Sequence, residues 1–205
     1  MVSILSSRCQ LALPTEQDGF LMVEAEAFTT QHANSRRSWV TIDDSYEALK
    51  EIVDPDTAHF VTASGGSYIK ALPDTRVTHD DSLAHGVNFS NIPGEVAVLD
   101  YKVRIQNPGR YFVWVSAYSS GTEDNGIHVG IDGSWPESGQ RMQWCEGKNS
   151  LHWESKQRTK EVHCGVEKLI YLDVPTAGIH TISFSMREDG FEFDRFVLSK
   201  EYRSP

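Results

Sequence analysis

The stretch Val96-Ala97-Val98-Leu99-Asp100-Tyr101-Lys102-Val103-Arg104-Ile105, followed by Pro108-Gly109 and Arg110-Tyr111-Phe112-Val113-Trp114-Val115-Ser116-Ala117-Tyr118, decides the fold. In the first segment Ala97, Leu99, Tyr101, Val103 and Ile105 share one parity, while Asp100, Lys102 and Arg104 fall on the other. A period of two is that of a strand with one face buried, so the apolar parity points inward. Pro108-Gly109 turns the chain into a second alternating segment in which Tyr111, Val113, Val115 and Ala117 oppose Phe112, Trp114, Ser116 and Tyr118. Gly126 to Ile131 supplies a third strand.

The same pattern extends outward. On the C-terminal side, strands are expected at Glu167 to Asp173, Gly178 to Met186 and Phe191 to Leu198, joined by Pro175-Thr176-Ala177-Gly178 and Glu188-Asp189-Gly190. On the N-terminal side, Phe20 to Phe28 reads as the first strand. Phe60 to Ala63 and Ser67 to Ala71 follow, separated by Gly65-Gly66, with a short one at Val87 to Ser90. One helix candidate spans Asp43 to Val53, where Asp44 and Glu47 have capping-box spacing, Tyr46, Leu49, Ile52 and Val53 form an apolar stripe, and Pro55 is a stop. Short alternating strands with Gly, Pro and Asp turns point to an all-β antiparallel sandwich. Residues 1–18 form a weakly patterned lead-in, 19–200 the domain and 201–205 a tail.

The 205 residues suffice for one core without a metal or a disulfide framework. A net charge of -10, with basic residues in short groups such as Arg36-Arg37 and Lys156 to Lys160, argues against nucleic acid as a partner. No run approaches the length of a membrane span. Met1 to Gln10 has too short an apolar stretch ahead of Arg8 to read as a signal peptide.

Three features carry chemistry. Glu24-Ala25-Glu26 places two carboxylates on one face of a strand, and Asp194, between Phe193 and Arg195, is a third. If that face is desolvated, a hard cation such as Ca²⁺ relieves the repulsion; the alternative is a solvated edge with no metal. The stretch 133–165 carries Trp135, Trp144 and Trp153 of the five tryptophans, along with Arg141, Gln143, Asn149, His152, Lys156 and Arg158. Rings flanked by such donors suit a sugar whose C–H face stacks while its hydroxyls are hydrogen-bonded. The alternative is a satellite core that holds the excursion on the sandwich. Cys145 and Cys164 bracket most of this stretch, and a disulfide there would stiffen it. A zinc site with His152 or His163 competes with that reading, but the spacing matches no tight zinc pattern. Cys9 is left over in the lead-in.

The scattered histidines have no catalytic signature, and G-x-S-x-G, H-E-x-x-H and P-loop motifs are absent. Glu123-Asp124 and Glu188-Asp189 read as turn residues.

Taken together, F-L-M-V-E-A-E-A-F at Phe20 to Phe28, Gly109-Arg110-Tyr111, Asp124 to Gly133, Gly178-Ile179-His180-Thr181-Ile182 and Asp189 to Leu198 resemble the galactose-binding-like carbohydrate-binding modules, especially families 6 and 35. The resemblance covers residues 19–200 and implies a jelly-roll β-sandwich with a long Trp-rich loop insertion. It implies that Glu24, Glu26 and Asp194 hold a structural Ca²⁺. It further implies a non-catalytic, secreted module that recognises a polysaccharide or oligosaccharide, such as the marine galactans agar or porphyran, and brings the catalytic domain of a parent enzyme to it. By position, the ligand candidates are Tyr68, Asn88, Asn125, Trp135, Arg141, Trp144, Trp153 and Asp189. The excursion 133–165 is longer than a plain module needs, Gly190 to Asp194 lacks the asparagine expected there, and Trp39 to His85 matches only loosely. A small polysaccharide-cleaving enzyme and a protein-interaction module are the competing classes.

Overall fold

The computed structural model describes residues 13–34, 36–46 and 52–205. Fourteen strands are assigned among them: β1 (Phe20–Glu24), β2 (Thr30–His32), β3 (Ser38–Ile42), β4 (Tyr68–Leu72), β5 (Val98–Ile105), β6 (Gly109–Tyr118) and β7 (Gly126–Ile131) come first. They are followed by β8 (Met142–Gln143), β9 (Leu151–Glu154), β10 (Lys156–Gln157), β11 (Val166–Glu167), β12 (Tyr171–Val174), β13 (Gly178–Met186) and β14 (Glu192–Ser199). One sheet runs β12-β6-β14-β4-β3, with β1 also pairing β14 and β9 also pairing β6; the other runs β11-β10-β8-β7-β13-β5-β2. All these pairings are antiparallel. The expected antiparallel β-sandwich is the fold.

Alternation explains the core. Leu99, Tyr101, Val103 and Ile105 of β5 are buried, as are Ile182, Phe184 and Met186 of β13, and they meet Tyr111, Val113, Val115 and Ala117 of β6 from the opposite sheet. Between the sheets Tyr101, Phe184, Phe193 and Phe196 pack edge-on or tilted, with ring centroids 4.8–6.3 Å apart. Phe193 and Phe196 are three residues apart, so an unbroken strand would put them on opposite faces. A register shift between Phe193 and Arg195 in the β14–β6 pairing lets both face the core and re-aims Asp194.

Several local expectations are corrected. The strand expected through Phe28 stops at Glu24, and Ala25–Ala27 form a 3₁₀ turn, because the Tyr101 hydroxyl donates to the Ala25 carbonyl at 2.6 Å and draws that segment inward. Phe60–Thr62 is also a 3₁₀ turn rather than a strand. Val87 to Ser90 makes only isolated bridges, through Phe89 to His85 and Glu188. Asp43 to Tyr46 of the helix candidate is turn, and 47–51 lie outside the described residues. The excursion 133–165 is not a bare loop: it contributes β8, β9 and β10 to both sheets.

Glu16 and Tyr202, in the described parts of the two flanks, are packed against the expected domain. Glu16 is fully buried, and its carboxylate accepts backbone N–H groups from Gly19, Gln106 and Asn107. Tyr202 packs on Phe112 and Trp114 at 5.1 and 4.9 Å. No helix among the described residues is long and apolar enough to cross a membrane.

Candidate functional site

A cleft of about 1000 Å³ opens where loops from both halves of the chain converge. Leu83 and Phe89 give it an apolar patch, and Arg141, Arg158, Lys160 and His163 come from the excursion. Its floor is built from the turn before β14. There Arg187 Nη1 donates to Glu188 Oε1 at 2.5 Å and to Gln143 Oε1 at 3.3 Å, with its guanidinium 4.9 Å from the Phe89 ring centre. Glu188 Oε2 accepts the Asn125 N–H at 2.9 Å, which ties this turn to the start of β7. Gly126 makes that approach feasible: a Cβ there would stand 2.6 Å from Arg187 Nη1.

Beneath Arg141 lies His128, fully buried. Its Nδ1 accepts the Arg141 N–H at 3.0 Å while its Nε2 donates to the Ser90 carbonyl at 3.1 Å, an arrangement that needs the neutral ring. Burial pushes the imidazole down to about 4, with the nearby Arg187 and Arg141 charges acting in the same direction. His128 is therefore a neutral strut. His163 is also pushed below its ordinary value, first by burial and then by the positive fields of Arg158 and Arg187.

The disulfide between Cys145 and Cys164 is formed, with Cα atoms 5.4 Å apart. It fastens the segment that carries Arg158, Lys160 and His163, and it removes both sulfurs from the competing zinc reading.

Of the ligand candidates named from sequence position, Arg141 alone lines this cleft. Trp144 is fully buried, donates from Nε1 to the His152 carbonyl at 3.0 Å and packs edge-on against Phe191, so this ring serves the core. Tyr68 is buried beneath the segment around His59, whose N–H it accepts at 3.3 Å. Asn88 closes its own loop through Ser82 and Ala84. Asn125 accepts from Gln143, and Asp189 is fully buried against Arg37 and Thr75. All five of these side chains are buried. Trp135 is half-buried over Gly130, where a Cβ would come within 2.8 Å of its ring. Trp153 is half-buried on β9, with the Arg195 guanidinium 5.3 Å from its centre, and does not line the cleft.

The sequence offers Arg158 as one of the donors flanking the tryptophans and His163 only as a zinc alternative, and Glu123 and Glu188 read as turn residues. Arg76, Lys160 and Arg187 carry no site signal in the sequence beyond the short basic group that ends at Lys160.

The carboxylates Glu24, Glu26 and Asp194 gather around the Ala63 to Ser67 turn. Ser64 donates from its hydroxyl to Glu24 Oε1 at 2.9 Å and from its N–H to Asp194 Oδ1 at 2.8 Å, and the Ser67 hydroxyl donates to Glu26 Oε1 at 2.8 Å. The other oxygens, Oε2 of Glu24 and of Glu26, are buried without a partner. Burial raises the Glu24 carboxyl above its ordinary range, opposed by the Ser64 hydrogen bond and reinforced by the charges of Glu26 and Asp194. With the serines engaging the facing oxygens, the described residues present no ready-made group of three acidic, His or Cys ligands around one point. The all-oxygen donor set and its two orphaned buried oxygens nevertheless fit a hard cation.

No family model matches the chain. It is 60% identical over 185 residues to a protein of Formosa agariphila described as uncharacterized protein P23, covering 90% of this chain and 44% of that protein, so the chain spans less than half the length of this relative. Solved structures similar to it include a xanthan lyase from Paenibacillus (TM-score 0.46, 15% identity, 88% of this chain and 13% of that one). Others are an exo-β-1,3-galactanase from Phanerochaete chrysosporium (TM-score 0.44, 11% identity, 88% and 29%) and a family 6 carbohydrate-binding module (TM-score 0.39, 10% identity, 89% and 95%). What each of these proteins acts on is a property of that protein.

Proposed function

We propose that this domain is a non-catalytic carbohydrate-binding module that seats a polysaccharide or oligosaccharide in the loop cleft and holds an attached hydrolase near it. The observation that carries the reading is the cleft itself. It is open, large enough for several sugar rings, supplied with an exposed apolar side chain by Leu83 and rimmed by hydrogen-bond donors set on a disulfide-clamped segment. A marine galactan such as agar or porphyran is the ligand we favour. The Formosa agariphila relative is more than twice as long as the matched region, which leaves room in that protein for a further domain.

We also propose that Glu24, Glu26 and Asp194 hold Ca²⁺, with the orphaned Oε2 atoms as ligands. Bound there, the ion would neutralise the cluster and brace the Ala25–Ala27 turn against the Ala63 to Ser67 segment. It has no part in sugar chemistry.

Affinity electrophoresis through polyacrylamide containing agar, carrageenan, porphyran, alginate, xylan or pectin tests the binding reading. Retardation by at least one polysaccharide without release of reducing ends or unsaturated products is expected. Product release would make the domain an enzyme, and silence across the panel would favour a protein partner.

A further inference from the structure

The cleft's charge runs against the charge of the chain. The protein carries a formal -10, yet five Arg and Lys side chains line the cleft against two carboxylates, a local excess of three. Two of the cations are spoken for. Arg76 pairs with Glu123, and Arg187 pairs with Glu188. Arg141 has Glu137 as its one carboxylate partner among the described residues, with that side chain 70% exposed at the rim, and also donates to Gln140 Oε1 at 3.3 Å. Arg158 and Lys160 have no ion-pair partner among the described residues, although 29 acidic side chains are available in the chain.

The placement is also fixed. The Arg141 carbonyl accepts the Arg158 N–H at 2.8 Å, and Arg141 Nε donates to the Arg158 carbonyl at 3.2 Å, so the two guanidinium-bearing residues are locked side by side. Arg187, 2% exposed, keeps Nε without a hydrogen-bond partner. Holding like charges together at a concave surface costs free energy in the empty protein, and an anion in the cleft recovers it.

We propose that the cleft selects a glycan bearing anionic substituents, sulfate esters or carboxylates, with Arg158, Lys160 and Arg141 as the groups that read the charge. The inference rests on the sugar-binding reading above and narrows its ligand class. Sulfate and carboxylate present the same feature, oxygens carrying negative charge on a ring substituent. Guanidinium groups engage both through paired N–H donors, and Lys160 acts as a point charge. Leu83, an exposed apolar side chain in the cleft lining, is available to the ring's apolar face. Among galactans, this favours a sulfated chain over neutral agarose.

The test compares the domain's migration in polyacrylamide containing carrageenan, polygalacturonate or agarose, at low and high NaCl. Retardation by carrageenan (the sulfate arm), polygalacturonate (the carboxylate arm) or both is expected, falling as salt rises, with little retardation by agarose. Arg158→Ala and Lys160→Ala should each weaken retention roughly tenfold, the scale of one charge-assisted hydrogen bond. Lys160→Arg should keep it. Lys160 is exposed, so Lys160→Ala remains informative even if Arg158→Ala does not fold. Equal retention by agarose, or unchanged binding by folded Arg158→Ala and Lys160→Ala variants, overturns the charge selection and leaves sugar binding standing. Retention by no polysaccharide removes both readings together.

Discussion

Arg187 and Glu188 are neighbours in sequence whose side chains turn back on each other, Nη1 to Oε1 at 2.5 Å, with both side chains under 5% exposed. Adjacent residues in a regular strand point to opposite faces, so the pair depends on the turn that precedes β14. Through Gln143 and Asn125 the pair joins three chain segments at the cleft floor. Glu188→Ala leaves a buried guanidinium without its counter-charge. It should lower stability by about 3–5 kcal/mol, read as a fall in the urea midpoint. A midpoint within error of wild type would show that water already serves Arg187.

Trp144→Ala distinguishes a core ring from a ligand ring. The side chain is fully buried against Phe191. Its truncation should cost about 3–5 kcal/mol, while the fraction that remains folded binds sugar as before. Full stability with lost binding would return Trp144 to the ligand surface.

Why sequence reading placed Trp144 beside Trp153 has a physical answer. Periodicity reports burial only where a strand is long enough to show it, as in β5, where Leu99, Tyr101, Val103 and Ile105 alternate with charge. Trp144 lies just past the two-residue β8 and Trp153 on the four-residue β9, segments too short to show a period, so a core tryptophan and a half-buried one read alike. The bulge at Asp194 was hidden for a related reason: it serves Phe193 and Phe196 together, a requirement set by the opposite sheet. The acidic triad was visible because Glu24 and Glu26 are close in sequence, although a 3₁₀ turn rather than a strand face brings them together. The cleft was not visible, because its cations come from positions 76 to 187 and only topology collects them.

Reduction of Cys145–Cys164 should loosen the cleft wall more than the sandwich. The bond closes a loop of about 20 residues, for which the chain-entropy estimate is about 3 kcal/mol. Cys145→Ser/Cys164→Ser should therefore melt several degrees lower. Hydrogen exchange should accelerate mainly around Arg158 to His163. Uniform acceleration throughout both sheets would contradict a local role.

Calcium at Glu24, Glu26 and Asp194 should appear as a thermal effect. At a free Ca²⁺ concentration near 100 times Kd, binding contributes about 2.7 kcal/mol, on the order of 5–10 °C for a domain of this size. Melting a metal-stripped sample with and without added Ca²⁺ measures it. Glu24→Gln/Glu26→Gln should abolish the shift. A stripped wild type whose Tm ignores Ca²⁺ would reject the site.

Asp74 predicts a pH dependence of opposite sense to that of a salt-bridged carboxylate. The side chain is 2% exposed, Oδ1 has no partner, and burial pushes its pKa up to about 7, opposed by the Lys70 charge and reinforced by Asp189, Asp56 and Asp124. In the unfolded chain the group titrates near its ordinary 3.8. Between those values the folded protein holds a proton that the unfolded chain has released, so the Asp74 contribution to stability declines as pH rises from about 4 to about 7 and is flat above. Asp74→Asn is neutral throughout and lacks that decline. Relative to wild type, the variant should gain on the order of a few kcal/mol between pH 4 and pH 8, measured by urea unfolding at each pH. Taking the difference cancels the other titrating groups to first order. A constant difference across the range would mean that Asp74 is ionised in the fold, with Lys70 outweighing its burial.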